Sequence, residues 1–129
     1  GLIMLKIILF LFLVFRVSYA DKIDDLENSC DKGEAKACRD LAYMYEEGRG
    51  KVYKNKYKAI KFYKEACDKN DATACNRLGV IYRDGINVKK SYFKAKKYFD
   101  KACDLGNDMG CIWERKLQKD KIEDILDGK

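Results

Sequence analysis

Six cysteines carry the most distinctive chemistry of this 129-residue sequence. They form three pairs with the common spacing Cys-x7-Cys: Cys30 and Cys38, Cys67 and Cys75, and Cys103 and Cys111. A free thiolate is a nucleophile or a metal ligand, whereas an even number of cysteines in a small exported chain is typical of a disulfide framework. Six cysteines allow many complete pairings, so the count alone does not assign the bonds.

Two Ser-x-x-Lys motifs, Ser29–Lys32 and Ser91–Lys94, have the spacing by which a lysine activates a serine nucleophile on one helical turn. The signal is weak, because lysine is abundant and neither Ser-Asp-Asn nor Lys-Thr-Gly accompanies it. Ser91 also aligns with Asn55 in the repeat described below, which favours a helix cap over a nucleophile. The sequence therefore leaves any catalytic residues unassigned.

Composition narrows the function classes further. The sequence has no histidine, which removes the usual general base and the commonest zinc ligand. Because the cysteines are better explained as disulfides, we expect no metal site and no cofactor. The 27 basic and 21 acidic residues are mixed along the chain, which indicates a solvated helical surface and no nucleic-acid partner. Adjacent acidic pairs such as Glu46 and Glu47 splay apart on a helix and are predicted to be solvated.

Self-comparison shows a repeated unit of about 36 residues. Residues 35–71 align with residues 72–107, and the first half of each unit places apolar residues at the spacing i, i+4, i+7 and i+8 of an amphipathic helix. Gly48 and Gly85 end these helices. A second helix follows a residue suited to N-capping in each unit: Asn55 and Ser91. The pattern predicts an all-α fold, an αα-hairpin repeat solenoid.

A turn separates the two cysteines of every pair. Gly33, Asn70 and Gly106 each stand three residues after the first cysteine, and glycine and asparagine tolerate the left-handed conformation that follows a helix. Two antiparallel helices that meet at this turn bring the paired cysteines within bonding range. We therefore predict one local disulfide in each Cys-x7-Cys segment.

The first twenty residues have the features of a cleavable signal peptide. Ile7–Phe15 is an unbroken apolar run of nine residues behind Lys6, and Ser18-Tyr19-Ala20 fits a small-x-small cleavage site. The run is shorter than the roughly 20 residues of a membrane span, so we expect no stable span after cleavage. An uncleaved anchor is the alternative. The prediction is a signal peptide over 1–20, a cysteine-rich αα repeat domain over 21–129, and a secreted or periplasmic protein.

Both flanks of the repeats depart from the unit. Before Glu34 only a remnant of a second helix remains, and after Cys111 the positions of leucine and tyrosine are taken by Glu114 and Gln118. A more polar last helix suits the cap of a solenoid, and a truncated final repeat is the alternative. We expect a monomer.

The repeat resembles the Sel-one-like repeat, a relative of the tetratricopeptide repeat. The motif Ala-x-x-x-Leu-Gly-x-x-Tyr-x-x-Gly, then Lys-Ala-x-x-aromatic-aromatic-x-Lys-Ala, is carried by Ala74, Leu78, Gly79, Tyr82, Gly85, Lys94, Ala95, Tyr98, Phe99, Lys101 and Ala102. With a cysteine pair in every repeat, the chain is similar to the helicobacter cysteine-rich protein (Hcp) family. This resemblance implies a concave face that binds peptides or proteins, and it also implies penicillin binding with slow β-lactam hydrolysis.

In such a solenoid the first helices line the concave face. Arg39, Asn76 and Arg77 lie off the apolar stripe of these helices, so they are the candidate ligand contacts. A guanidinium can form paired hydrogen bonds with a carboxylate, which both a peptide C-terminus and a penicillin carry. The predicted function is a binding module for a protein, a peptide or a cell-wall (peptidoglycan) fragment. The alternatives are a weak β-lactamase, and a fragment too short for a full groove that modulates its partners.

Overall fold

The computed structural model describes residues 1–50 and 52–128, except for the side chains of residues 16–21. This part of the chain is all-helical, and the predicted αα-hairpin repeat solenoid is confirmed. Six helices follow one another in the described residues: α1 (Leu2–Asp31), α2 (Ala35–Glu47), α3 (Lys56–Asp68), α4 (Ala72–Asp84), α5 (Tyr92–Asp104) and α6 (Asp108–Leu126).

Helix ends follow the local sequence in both complete repeats, α2–α3 and α4–α5. Gly48 and Gly85 end α2 and α4 in the left-handed conformation, each with φ of 70°. The side chains of Asn55 and Ser91 each accept a hydrogen bond from the backbone N–H three residues further on, at the start of α3 and α5. The predicted caps are confirmed at all four positions.

Equivalent positions of the two repeats supply the hydrophobic core. Four large side chains are fully buried between the helices of the repeats: Leu41, Tyr63, Leu78 and Phe99. Two stacked aromatic pairs join the first and second helices, with ring centroids 5.7 and 5.6 Å apart: Tyr45–Phe62 and Tyr82–Tyr98. Small residues let neighbouring helices approach closely. Between α5 and α6, a Cβ at Gly110 would lie only 2.9 Å from the backbone nitrogen of Cys103.

A disulfide closes each turn between a second helix and the next first helix. The bonds are Cys30–Cys38, Cys67–Cys75 and Cys103–Cys111, with Cα atoms 4.7, 4.8 and 4.6 Å apart. Gly33, Asn70 and Gly106 stand at these turns with φ of 99°, 67° and 89°. In the chain-entropy account a loop this short contributes about 2–3 kcal/mol per disulfide.

The two end helices differ from the repeat helices. α1 is one continuous helix of 30 residues, and its last turns pack against α2 through Ile23 and Leu26. α6 has 19 residues, because Lys121 stands where Gly48 and Gly85 end the other first helices. The predicted cleavage site at Ser18–Asp21 lies outside the described side chains. Among the described helical residues, no stretch is both long and apolar enough to cross a membrane.

Candidate functional site

Arg39 joins consecutive first helices. Its Nη1 donates to Oδ2 of Asp71 over 2.8 Å, and Asp71 caps the start of α4 by accepting from the backbone N–H of Ala74. Asp71 is largely buried, with a side-chain exposure of 9%. The ion pair therefore fixes the start of the second repeat against α2.

Glu46 is the centre of a second contact between the same helices. Its Oε1 accepts from Nε of Arg77 over 3.1 Å and also from Nη2, while Oε2 accepts from the Tyr63 hydroxyl over 2.5 Å. Burial raises the pKa of Glu46, but the hydrogen bonds from Arg77 and Tyr63 and the charge of Arg77 outweigh it, so the pKa lies below its ordinary value. Burial, followed by the bond to Glu46, raises the pKa of Tyr63 well above its ordinary value.

The expectation that Glu46 is solvated is therefore wrong, since only 13% of its side chain is exposed. Its partners are 31 and 17 residues away in the sequence, so helical periodicity could not reveal them. We call these contacts, Arg39–Asp71 and Tyr63–Glu46–Arg77, the first junction.

The second junction lies between α4 and α6. It uses the equivalent repeat positions, but with different residue types. Arg83 occupies the position of Glu46 one repeat later, and Trp113 occupies that of Arg77. The guanidinium carbon of Arg83 lies 4.1 Å from the centroid of the Trp113 ring. Phe99, which replaces Tyr63, packs on the same ring with centroids 6.4 Å apart. A cation–π contact therefore stands where the first junction has an ion pair.

Two of the three predicted ligand contacts, Arg39 and Arg77, are thus part of the first junction. Arg39 and Arg77 donate to Asp71 and Glu46, and Oδ1 of Asn76 is buried with no hydrogen-bond partner among the described residues. The structure gives both arginines a role in holding the repeats together. Their predicted role in ligand binding stays a prediction.

An open apolar groove lies between the start of α5 and the end of α6. Its volume is about 410 Å³. Eight residues line it: Tyr92, Phe93, Lys96, Leu117, Gln118, Lys121, Ile122 and Ile125. Only Leu117 is buried among these side chains, whereas Ile122 is 56% exposed. The groove exists because α6 continues past Lys121 and carries its isoleucines beyond the core. We call it the α5–α6 groove.

Comparison with known protein families finds a repeat family with the same two units. The Sel1 repeat matches residues 35–71 and 72–107, which is more than half of the chain. The chain belongs to the Sel1 repeat family. Comparison with curated protein sequences gives no match.

Three solved structures share the fold. A Sel1 repeat protein from Oxalobacter formigenes has a TM-score of 0.66 and 24% identity over 70% of this chain and 67% of that one. Helicobacter pylori cysteine rich protein B has a TM-score of 0.65 and 36% identity over 69% of this chain and 66% of that one. A protective antigen of uropathogenic Escherichia coli has a TM-score of 0.62 and 31% identity over 67% of this chain and 18% of that one. The chain thus spans about two thirds of the first two proteins and less than a fifth of the third.

In the described part of this Sel1 repeat chain, neither Ser-x-x-Lys motif brings its lysine ammonium group to its serine hydroxyl. The hydroxyl of Ser91 accepts from the backbone N–H of Lys94 over 3.2 Å, while the ammonium of Lys94 lies 5.2 Å from the centroid of the Tyr82 ring. The hydroxyl of Ser29 has no hydrogen bond to Lys32 within the described part of the chain. Ser91 therefore acts as a helix cap.

One group of metal-ligand types lies close together among the described side chains. Atoms of Cys30, Cys38 and Glu65 lie within 4.8 Å of one another, and Cys30 Sγ is 3.3 Å from Glu65 Oε2. Both sulfurs belong to one disulfide, so they carry no thiolate for a metal and no proton to donate to the carboxylate. This cluster is a contact between a carboxylate and a disulfide.

Proposed function

We propose that this Sel1 repeat chain is an exported module that binds a peptide segment of a partner protein in the α5–α6 groove. Sel1 repeats generally mediate protein interactions, and disulfides form and persist in extracytoplasmic compartments. The observation that carries the proposal is the exposed apolar lining of the groove. A concave, mostly apolar site with a few polar groups at its rim is the usual form of a binding site.

Charge at the rim specifies the peptide. Lys121 lines the groove and Lys97 lies beside it with Phe93, and neither lysine has an acidic partner among the described residues. Ile122 and Ile125 supply the apolar floor. A helical peptide with apolar residues at i, i+4 and i+7 and acidic residues on its flanks fits this combination.

The face that carries Arg39, Asn76 and Arg77 is the second place for a ligand. Both arginines would have to leave Asp71 and Glu46 to bind a carboxylate there, and leaving a buried charge without its partner is costly. The α5–α6 groove needs no such rearrangement. It is therefore the site that we favour for a peptide, and the arginine face is the one we favour less.

A designed peptide tests the groove directly. The probe is a fluorescein-labelled helix with leucine at i, i+4 and i+7 and glutamate on its flanks, added to the full chain in a nonionic detergent. We expect saturable binding by fluorescence anisotropy, and weaker binding of a second peptide with lysine in place of glutamate. Ile122→Glu puts a charge into the groove and is expected to weaken binding of the acidic peptide by about tenfold or more.

Ile112→Glu is the matched control for the groove. Ile112 lies on the same helix, is 48% exposed and is not part of the groove lining. Its substitution should leave peptide binding unchanged. Equal losses in the two variants, or equal binding of the acidic and basic peptides, would reject the α5–α6 groove as the site.

Export is proposed from the leader-like sequence together with the disulfides. Cleavage after Ala20 would release a chain that begins at Asp21. N-terminal sequencing of the exported protein tests this, and an intact Leu2–Phe15 segment on the exported protein would contradict it.

Hydrolysis of a β-lactam ring is the alternative that the Hcp resemblance implies. None of the described contacts of Ser29 or Ser91 favours it, so it is not the function that we propose. Incubation of the oxidised protein with a chromogenic cephalosporin separates the two functions. Turnover that persists in Ser29→Ala and Ser91→Ala variants would establish an enzyme that uses other residues.

A further inference from the structure

A lysine-rich edge recurs in the two repeats. Residues 53–61 contain four lysines and residues 89–97 contain five, and neither stretch contains an acidic residue. The stretches run from the loop before each second helix into its first turns. The chain as a whole mixes both charges, so these two segments stand apart from the rest of its surface.

Each stretch also exposes one aromatic ring at the same place. Tyr57 and Phe93 are the second residues of α3 and α5, and their side chains are 72% and 80% exposed. Three exposed lysines flank each ring in the sequence at equivalent positions: Lys54, Lys58 and Lys61 in the first repeat, and Lys90, Lys94 and Lys97 in the second. We call these eight residues the lysine–aromatic edge.

The positive charge of this edge is largely uncompensated. Among the described residues, Lys61 lies 3.9 Å from an oxygen of Glu65, and the charge of Lys90 helps to lower the pKa of Asp84. The other four lysines of the edge have no acidic partner among these residues. Lys58 and Lys94 are held over buried rings, with Nζ 5.0 and 5.2 Å from the centroids of Tyr45 and Tyr82. The N-termini of α3 and α5 add their own positive potential beside these side chains. The edge therefore places its lysines and its exposed ring at the same sequence positions in consecutive repeats, and Lys58 and Lys94 make the same contact in both.

We infer that the lysine–aromatic edge binds an anionic polysaccharide. Lysine ammonium groups complement the sulfate, phosphate or carboxylate groups of such a chain. An exposed ring offers its electron-rich face to the C–H groups of a sugar ring. Because the arrangement repeats once per unit along a solenoid, it suits a ligand that itself repeats, and it contains none of the residues of the first junction.

Two other anionic partners, a nucleic acid and a membrane surface, fit this edge less well. Neither stretch contains an arginine, the side chain best suited to phosphates of nucleic acids. A helix that lies on a membrane needs a broad apolar face toward the lipid, whereas α3 and α5 turn their apolar faces, with Tyr63 and Phe99, into the core. One exposed ring per repeat is enough for a sugar but gives little insertion into a bilayer.

Heparin, a soluble sulfated polysaccharide, is the probe. The full chain is kept in a nonionic detergent because its first residues are apolar and exposed, and binding is measured by calorimetry at low and moderate salt. The variant Lys54→Gln/Lys61→Gln/Lys90→Gln/Lys97→Gln is expected to bind about tenfold more weakly or worse, with a smaller salt dependence. The control Lys22→Gln/Lys32→Gln/Lys36→Gln/Lys119→Gln loses the same net charge and should retain nearly all of the affinity.

The ring is tested separately at Tyr57, since Phe93 also lines the α5–α6 groove. Tyr57→Ser should weaken heparin binding several-fold. Tyr53→Ser should have a smaller effect, because it removes a ring that is 93% exposed but has no counterpart in the second repeat, where Lys89 stands. Circular dichroism checks that all variants keep their helices.

Several results would overturn the inference. These are equal losses in the two lysine variants, equal effects of Tyr57→Ser and Tyr53→Ser, binding of a DNA duplex as tight as that of heparin, or binding to phosphatidylglycerol-doped micelles without binding to heparin. The acidic peptide of the groove experiment should still bind to Tyr57→Ser, so the two proposed sites fail independently.

Discussion

Arg83 in α4 places its guanidinium over the ring of Trp113 in α6, 4.1 Å from the ring centroid. One repeat earlier, the equivalent residues Glu46 and Arg77 form an ion pair between α2 and α4. The positive charge lies on the later helix in the first junction and on the earlier helix in the second, where an aromatic ring takes the place of the carboxylate. Consecutive repeats are thus joined at the same place by different interactions, so the two junctions should respond differently to salt and pH.

The first junction should show strong energetic coupling. Substituting Glu46→Gln or Arg77→Gln leaves the remaining charged side chain partly buried and without an opposite charge beside it. Each substitution should therefore lower the free energy of unfolding by about 1–3 kcal/mol. The double variant should lose less than the sum of the two single losses. Denaturant unfolding of the four proteins measures this coupling.

The exposed ion pair Lys36–Asp40 is the control for that cycle. Its side chains are 76% and 36% exposed, so its coupling should stay below about 0.5 kcal/mol. Similar coupling in the two pairs would show that Glu46–Arg77 contributes no more than a surface contact.

Acid should weaken the first junction. The pKa of Glu46 in the folded protein lies below its ordinary value of 4.5, despite burial, because Arg77 and Tyr63 stabilise the carboxylate. A carboxyl group whose pKa is lowered by folding stabilises the protein fully above the unfolded pKa, and this stabilisation is lost as the pH falls through the folded pKa. Unfolding free energies should therefore fall below about pH 4.5 more steeply in the wild type than in Glu46→Gln. Parallel pH profiles would contradict this.

The second junction should be sensitive to loss of the ring. In a cycle of Arg83→Gln and Trp113→Leu we expect a coupling of about 0.5–2 kcal/mol, the range of a partly desolvated cation–π contact. Raising the salt concentration should reduce it less than it reduces an exposed ion pair. No coupling would mean that Trp113 stabilises α6 through packing with Phe99 alone.

The sequence predicts the helices well because local signals repeat. Gly48 and Gly85 end helices, Asn55 and Ser91 begin them, and agreement between the two copies makes each signal stronger than it is alone. The turns at the cysteine pairs follow the same logic, since only eight positions separate the bonded residues.

The junctions could not be predicted in the same way. A helical pattern tells which side of α2 carries Glu46, but not that Arg77 and Tyr63 converge on it from α4 and α3. One signal was present: the hydroxyl of Tyr63 is lost at Phe99 in the same repeat step that replaces Glu46 by Arg83. The α5–α6 groove was also missed, because it depends on how far α6 continues beyond the last recognisable unit.

Gly79 should resist substitution by alanine. A Cβ at this position in α4 would overlap the ring of Phe99, which is fully buried and has no room to move. The overpacking cost of about 1–3 kcal/mol should exceed the gain of about 1 kcal/mol in helix propensity, so Gly79→Ala should destabilise the protein. Phe99→Leu should cost less in the Gly79→Ala background than in the wild type. A stabilised Gly79→Ala protein would show that the helices can separate at this point.

The three disulfides should be reduced in a defined order. Cys30, Cys38, Cys67 and Cys75 are fully buried, whereas Cys103 and Cys111 are partly exposed at the last turn. Thiol–disulfide exchange requires a thiolate to reach a sulfur atom, so dithiothreitol should open Cys103–Cys111 first in the folded protein.

Alkylation at increasing times, followed by peptide mass mapping, gives the order of reduction. In denaturant the three bonds should react at similar rates, because each then spans an equally short and exposed loop. Early reduction of Cys67–Cys75 in the folded protein would mean that the middle turn opens more readily than its burial allows. In the expected order, the loss of Cys103–Cys111 should loosen the start of α6 against α5 before it affects the first junction. The α5–α6 groove should then lose its peptide while Glu46 and Arg77 stay paired.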